Sequence, residues 1–161
     1  MKIEVEYLKY MWPMRHFLLT CGNFEKDNMN IITVSFCMPV SKKPPLTACA
    51  IGKNTYSYKL INKTEEFTIN VPSQNLKSDI YYCGYHSGFD TDKFKATNLT
   101  PETARKVKNP IISECLAHME CKVLKKEKTG DKVLFIGEVI EAYADKSLEN
   151  GNKVLKYAKG D

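Results

Sequence analysis

The chain has little of what announces a membrane, metal or nucleotide-fold protein. Its longest apolar runs, 31–40 and 46–51, are interrupted or far shorter than the ~20 residues a bilayer-spanning helix needs, so no membrane span is expected. The six cysteines, at 21, 37, 49, 83, 115 and 121, form no C-x-x-C pair. The three histidines, His16, His86 and His118, share no ligand spacing with them or with one another, so zinc-ribbon, thioredoxin and metal-site chemistry are not indicated. Reduced, mostly buried thiols are the expectation. Glycine (8) and proline (7) are too few for collagen-like or low-complexity chains, while 43% hydrophobic residues suffice for a core. Walker A, Rossmann and G-x-S-x-G patterns are missing and no Ser-His-Asp order can be defended, so no catalytic side chain is assigned. Residues 1–10 carry Lys2, Glu4 and Glu6 and lack an apolar h-region and a small-residue cleavage site, from which a cytoplasmic location is expected.

What is present fits one domain, residues 1–161, in 18.4 kDa. The net charge of +5 suits an anionic ligand but is modest for a nucleic-acid binder, and nucleic acid is not an expected partner. The basic stretch 122–132 contains Glu127 and Asp131 around a turn and reads as a solvated hairpin tip.

Short apolar and β-branched runs predict strands over 17–20, 31–36, 46–51 and 66–71, the last stopped by Pro72. Their near-continuous apolarity implies burial on both faces, as in a closed barrel or under covering helices. Tyr56, Leu60 and Ile61 share a helical face, and either Asn54 or Thr55 can cap that helix. A second helix is predicted over 75–82, capped by Ser73 and stopped by Gly84. A long hairpin follows, turning at Thr129-Gly130-Asp131 and returning over 132–143, with a short closing segment at 153–157. The fold class is therefore mainly β with flanking helices, and a small barrel is the natural closure.

Chemistry can sit in four segments. Thr33 and Ser35 interrupt a buried strand on one face, where their hydroxyls either bond nearby backbone or meet a ligand. Ala48, Cys49, Ala50 and Gly52 run into Asn54-Thr55 at a helix start. Small side chains let a flat ligand approach the backbone, and the helix N-terminus with Lys53 beside it is either a phosphate seat or an ordinary cap. Residues 83–94 gather Ser87, two glycines and Lys93, giving either an anion nest or a solvated loop, with Phe94 favouring something to cover. In the returning arm Gly137 implies a bulge or a close backbone approach.

In order, the Asn-x-Met-x-x-x-x-Ser strand, Pro44-Pro45-Leu46, Asn54-Thr55-Tyr56 with Ile61, 66–72, Ser87-Gly88 with Asp92-Lys93-Phe94, and 136–139 resemble the flavin reductase-like family, flavoredoxins among them, over about Trp12 to Tyr143. The resemblance implies an FMN-binding split β-barrel, a homodimer with one flavin per subunit near the interface. It implies that Asn30, Thr33, Val34 and Ser35 line the isoalloxazine and ribityl chain. Ala48, Cys49, Ala50, Ile51 and Gly52 would offer backbone groups to the ring, and Thr55 a phosphate contact. Ser87, Gly88 and Lys93, with Phe94 beside them, would form a second phosphate or ribityl group. Cys49 itself reads as a packing residue. Two positions depart from the family pattern: Phe89 stands where many relatives carry arginine, and Lys132 where many carry histidine. The implied activity is electron transfer, by a reductase using a nicotinamide dinucleotide or by a non-catalytic carrier serving redox protein partners; an FMN-free ligand module is the third class.

Overall fold

The computed structural model describes residues 2–148; the closing segment predicted at 153–157 lies outside them. Seven strands form one antiparallel sheet: β1 (Phe17–Asn23), β2 (Asn28–Val34), β3 (Cys37–Lys42), β4 (Pro45–Gly52), β5 (Glu66–Val71), β8 (Ala117–Thr129) and β9 (Lys132–Ala144). Between β5 and β8 the chain forms a two-stranded ribbon, β6 (Pro101–Glu102) with β7 (Ile111–Ile112). Three helices accompany them: α1 (Tyr56–Thr64), α2 (Lys77–Tyr85) and α3 (Lys93–Ala96).

The strand order β2-β1-β5-β8-β9-β4-β3 places β2 and β3 at opposite edges, yet only Ser35 and Phe36 separate them in sequence. Three backbone steps reach at most ~11 Å, so the sheet must curl until its edges nearly meet. The result is a barrel left open along one seam, the expected split β-barrel. The predicted strand 31–36 thus ends early, and β3 was not foreseen, because an apolar run gives no sign that the chain leaves one edge for the other.

The barrel interior holds Leu19, Cys21, Cys49, Ile51, Phe67 and Phe135. On the outer face of β1 and β2, Leu18 and Ile31 pack with Leu76, Cys83, Phe94 and Ile112 in a second cluster. Burial on both faces explains why β1 reads as continuously apolar rather than alternating. Gly137 provides the close approach foreseen: a Cβ there would come within 2.7 Å of the Phe67 ring. Beside it, β8 is irregular against β9 between Val123 and Lys125.

Helix α1 begins where expected, and Thr55 is its cap: its hydroxyl oxygen accepts from the Tyr58 amide at 3.1 Å and its proton goes to the Gly52 carbonyl at 2.8 Å. Glu65 closes the helix in the left-handed region, with φ of 57°. The second helix departs from expectation. Ser73 makes no side-chain cap bond, a 3-10 turn occupies Gln74–Leu76, and Gly84 lies inside α2 rather than ending it. Gly84 faces Thr33, which a Cβ at this position would meet at 3.4 Å, an ordinary contact distance. The Thr33 hydroxyl donates to the Ile80 carbonyl at 2.6 Å, locking α2 onto β2.

Candidate functional site

The open seam forms a groove of two adjoining cavities, about 230 Å³ and 250 Å³, which share Ile32 and Thr55. One end lies between the N-terminus of α1 and the loop after α2, where Asn30, Thr55, Ser87, Gly88 and Lys93 converge. The other runs along the seam between 32–36 of the β2 edge and Ala50, Ile51 and Gly52 of β4, with Lys132 at its rim.

Lys93 dominates the first end. Its side chain is almost wholly buried, with the residue 4% exposed, and its ammonium donates to the Ile31 carbonyl at 2.9 Å and the Cys83 carbonyl at 2.8 Å. An ammonium has three N–H donors, so two hold it in place and the third remains for the cavity. No ion pair to Lys93 is found among the described residues. Burial holds its pKa below the ordinary lysine range, partly offset by the nearby Cys83 and Cys21 thiols. A positive charge removed from water without a carboxylate partner is poised for an anion. The N-terminus of α1 adds its unpaired N–H groups and positive dipole end beside Thr55.

The loop over this end is held by short-range contacts. Asn30 donates through Nδ2 to the Ser57 hydroxyl at 2.9 Å, and Gly88 lies flat against its amide: a Cβ there would sit 2.5 Å from Asn30 Oδ1. The Ser87 hydroxyl accepts from the Phe89 amide at 3.1 Å, and the Phe89 ring leans on Tyr56, centroids 5.1 Å apart. Phe89 therefore covers the start of α1 at the position where arginine is common in the family pattern.

At the second end the hydroxyls are committed. Thr33 bonds the helix carbonyl described above, and Ser35 Oγ shares a 2.6 Å hydrogen bond with His16 Nδ1. What remains along this end of the groove is small or apolar: Ile32, Ala50 and Gly52, with Val34 and Ile51 buried behind them in the barrel core. Lys132 pairs with Asp131 at 2.9 Å and lies 5.7 Å from the centroid of the Phe36 ring. The hairpin turn read as solvated thus presents one of its lysines to the groove.

Of the residues implied by the resemblance, the structure brings together Asn30, Thr33, Val34, Ser35, Ala50, Ile51, Gly52, Thr55, Ser87, Gly88 and Lys93. Three fall outside the groove lining. Ala48 and Cys49 are buried, with Cys49 turned into the barrel because side chains alternate along β4, and Phe94 fills the outer apolar cluster. Lys53 points instead to the Gly130 carbonyl at 2.6 Å, bracing the hairpin turn. Unforeseen lining residues are Ile32, Phe36, Tyr85 and His86; alternation along β2 and the position of Phe36 at the crossing between edges carry no sequence mark. Among the described residues no group of three or more His, Cys, Asp or Glu could hold a metal ion, and no helix is long and apolar enough to cross a membrane.

A groove with a buried cation at one end and a flat, small-residue wall at the other suits an elongated ligand with an anionic tail and a planar head. Comparison with known proteins identifies the family. The chain is 34% identical to an uncharacterized protein of Archaeoglobus fulgidus over 95% of this chain and 85% of that protein. It is 25% identical to an NADH-dependent FAD reductase of Streptomyces globisporus over 81% and 70%. Its fold superposes on the flavoredoxin of Desulfovibrio vulgaris with a TM-score of 0.77 at 29% identity, covering 84% of this chain and 72% of that one. The family model for the flavin reductase like domain matches residues 12–161, and the chain belongs to that family.

Proposed function

We propose that the protein is an FMN-binding electron-transfer flavoprotein of the flavin reductase and flavoredoxin type, one domain over residues 1–161, working as a homodimer. The observation that carries this reading is the Lys93 ammonium, buried without a carboxylate beside the α1 N-terminus and at one end of a groove whose other end is flat. Lys93 and the first amides of α1 would hold the phosphate, Asn30, Ser87 and Gly88 the ribityl chain, and Ala50 to Gly52 with 32–35 the ring. When bound, the flavin supplies the acceptance and release of electrons, which no side chain here provides. The chain's own residues position the ring, and the apolar lining of Ile32 and Ala50, backed by the buried Val34 and Ile51, excludes water from it. Electrons would pass to flavin, ferric iron or a protein partner.

The test is direct. The purified protein should show a flavin absorbance spectrum, and the released cofactor should be FMN. Charge-assisted hydrogen bonds are worth about 1.5–3 kcal/mol, so Lys93→Met should weaken FMN about tenfold or more while barely changing riboflavin binding. Equal affinities of the unaltered protein for FMN and riboflavin would overturn the phosphate assignment.

Lys132 at the groove rim favours the carrier over the nicotinamide-dependent reductase. A lysine attracts an anionic dinucleotide but offers neither the planar stacking nor the neutral donor of a histidine. Stopped-flow reduction should be rapid with dithionite or a low-potential protein donor and slow with NADH or NADPH, and Lys132→His should speed the latter. Flavin reduction by NADH or NADPH near 10 per second, about the median enzyme turnover, would make reductase the better reading.

A further inference from the structure

Cys37 and Cys49 stand directly opposite each other on the antiparallel strands β3 and β4. The Ala50 amide donates to the Phe36 carbonyl at 2.9 Å, so the neighbouring Phe36/Ala50 pair is hydrogen-bonded and Cys37/Cys49 occupies a non-hydrogen-bonded position. In such positions Cα atoms are about 4.5 Å apart and side chains are closest, within the range a disulfide spans. The two Sγ atoms are in contact at 2.7 Å, and neither cysteine is bonded to another in this state. Cys37 is half-buried on the edge strand and Cys49 is fully buried inside the barrel. No other pair of the six cysteines shows such a sulfur contact among the described residues.

We propose that Cys37 and Cys49 form a reversible dithiol–disulfide site that reacts with protein or low-molecular-weight disulfides, Cys37 attacking and Cys49 resolving. Cys37, the one cysteine that is not buried, attacks one sulfur of the disulfide RSSR as its thiolate, forming Cys37–S–S–R and releasing RS⁻. Cys49 gives up its proton, which the released thiolate takes to become RSH. Cys49 then attacks Cys37 Sγ, closing the Cys37–Cys49 bond and expelling the second RS⁻, which takes up the proton that Cys37 lost. Both cysteines are oxidised by two electrons in total and RSSR is reduced to two RSH. The electrostatics support the division of labour: the hydrogen bond from Cys49 holds the Cys37 thiol below the ordinary range, while giving that bond and being buried push Cys49 well above it. The site does not depend on the flavin reading, although the residues flanking it, Phe36 and Ala50, line the groove.

The experiment uses the full chain with its cofactor as purified, reduced, desalted and exposed to oxidised glutathione at neutral pH. Free thiols are then blocked with N-ethylmaleimide and the protein is digested with trypsin. Cleavage after Lys26, Lys42 and Lys53 puts Cys37 in peptide 27–42 and Cys49 in peptide 43–53. The expected product is these two peptides joined by a bond that dithiothreitol releases. Cys37→Ser should abolish the joined species, and Cys49→Ser should instead accumulate a glutathione adduct on Cys37. Recovery of both peptides blocked by N-ethylmaleimide, or Cys37 joined to Cys121 instead, would overturn the proposal. Absence of the adduct in Cys49→Ser would overturn the assignment of Cys37 as the attacking thiol.

Discussion

A lysine ammonium that meets only carbonyl oxygens is held against its own desolvation, and Lys93 has that position at the end of the groove. Its lowered pKa has a consequence for ligand binding. As pH rises through that lowered value the free protein loses the charge, whereas a bound phosphate would stabilise it. The ratio of FMN to riboflavin affinity should therefore fall in alkaline solution, beginning below the pH at which an ordinary lysine titrates. Titrating both ligands across pH measures it, and a flat ratio would remove Lys93 from the phosphate site. At Gly88 the argument is steric. Asn30 is buried and bonded to Ser57, so it cannot swing away from a methyl group 2.5 Å from its Oδ1. Gly88→Ala should displace the 86–90 loop and weaken FMN by about tenfold, on the order of 1.4 kcal/mol, with little change in the unfolding midpoint of the barrel.

At the scale of elements, the loop that enters β7 is tied to the sheet by two carboxylates: Glu66 of β5 accepts from the Lys108 amide at 2.9 Å, and Glu120 holds the residues just before it. Glu120 of β8 is fully buried and accepts from the amides of Arg105 at 2.8 Å and Lys106 at 2.6 Å, and from the Tyr143 hydroxyl at 2.7 Å. Burial, and then the bond to Glu120, push the Tyr143 phenol well above its ordinary range. Glu120→Gln keeps the shape but aims an amide N–H₂ at groups that are themselves donors. With charged hydrogen bonds at about 1.5–3 kcal/mol each, the variant should lose about 3 kcal/mol. Urea unfolding should show a lower midpoint at unchanged slope, and an unchanged midpoint would contradict the role assigned to the carboxylate. The start of α1 was legible because Asn54 and Thr55 precede an apolar helical stripe; the choice of Thr55 as the cap came only with its bond to the Tyr58 amide. The α2 boundary was not, since a glycine after a helix and a glycine within one look alike in sequence, and α2 runs through Gly84 to Tyr85.

For the whole molecule, the edge strand β3 leaves Met38 and Val40 exposed, with Phe36 exposed just before it. An apolar edge strand left open pairs with another chain or is covered by one. In the homodimer reading this edge meets the second copy beside the groove. Light scattering of the flavin-loaded protein should return twice 18.4 kDa, and Met38→Glu should shift it towards the single chain. A stable 18.4 kDa particle for the unaltered protein would remove the dimer.

The sequence by itself determined the strand-rich class, the start of α1, the long hairpin with its turn, and the order of short motifs that resemble the flavin reductase-like family, because these depend on local periodicity, capping chemistry and turn residues. Tertiary structure alone decided the rest. Closure of the sheet brought β2 and β4 to the two sides of one seam, so Ile32 and Gly52 share a groove although nothing local links them. Alternation across β4 sent Cys49 inward and Ala50 outward, and the register of β3 set Cys37 against Cys49. Those outcomes depend on which face and which partner strand each residue meets. A linear spacing carries neither.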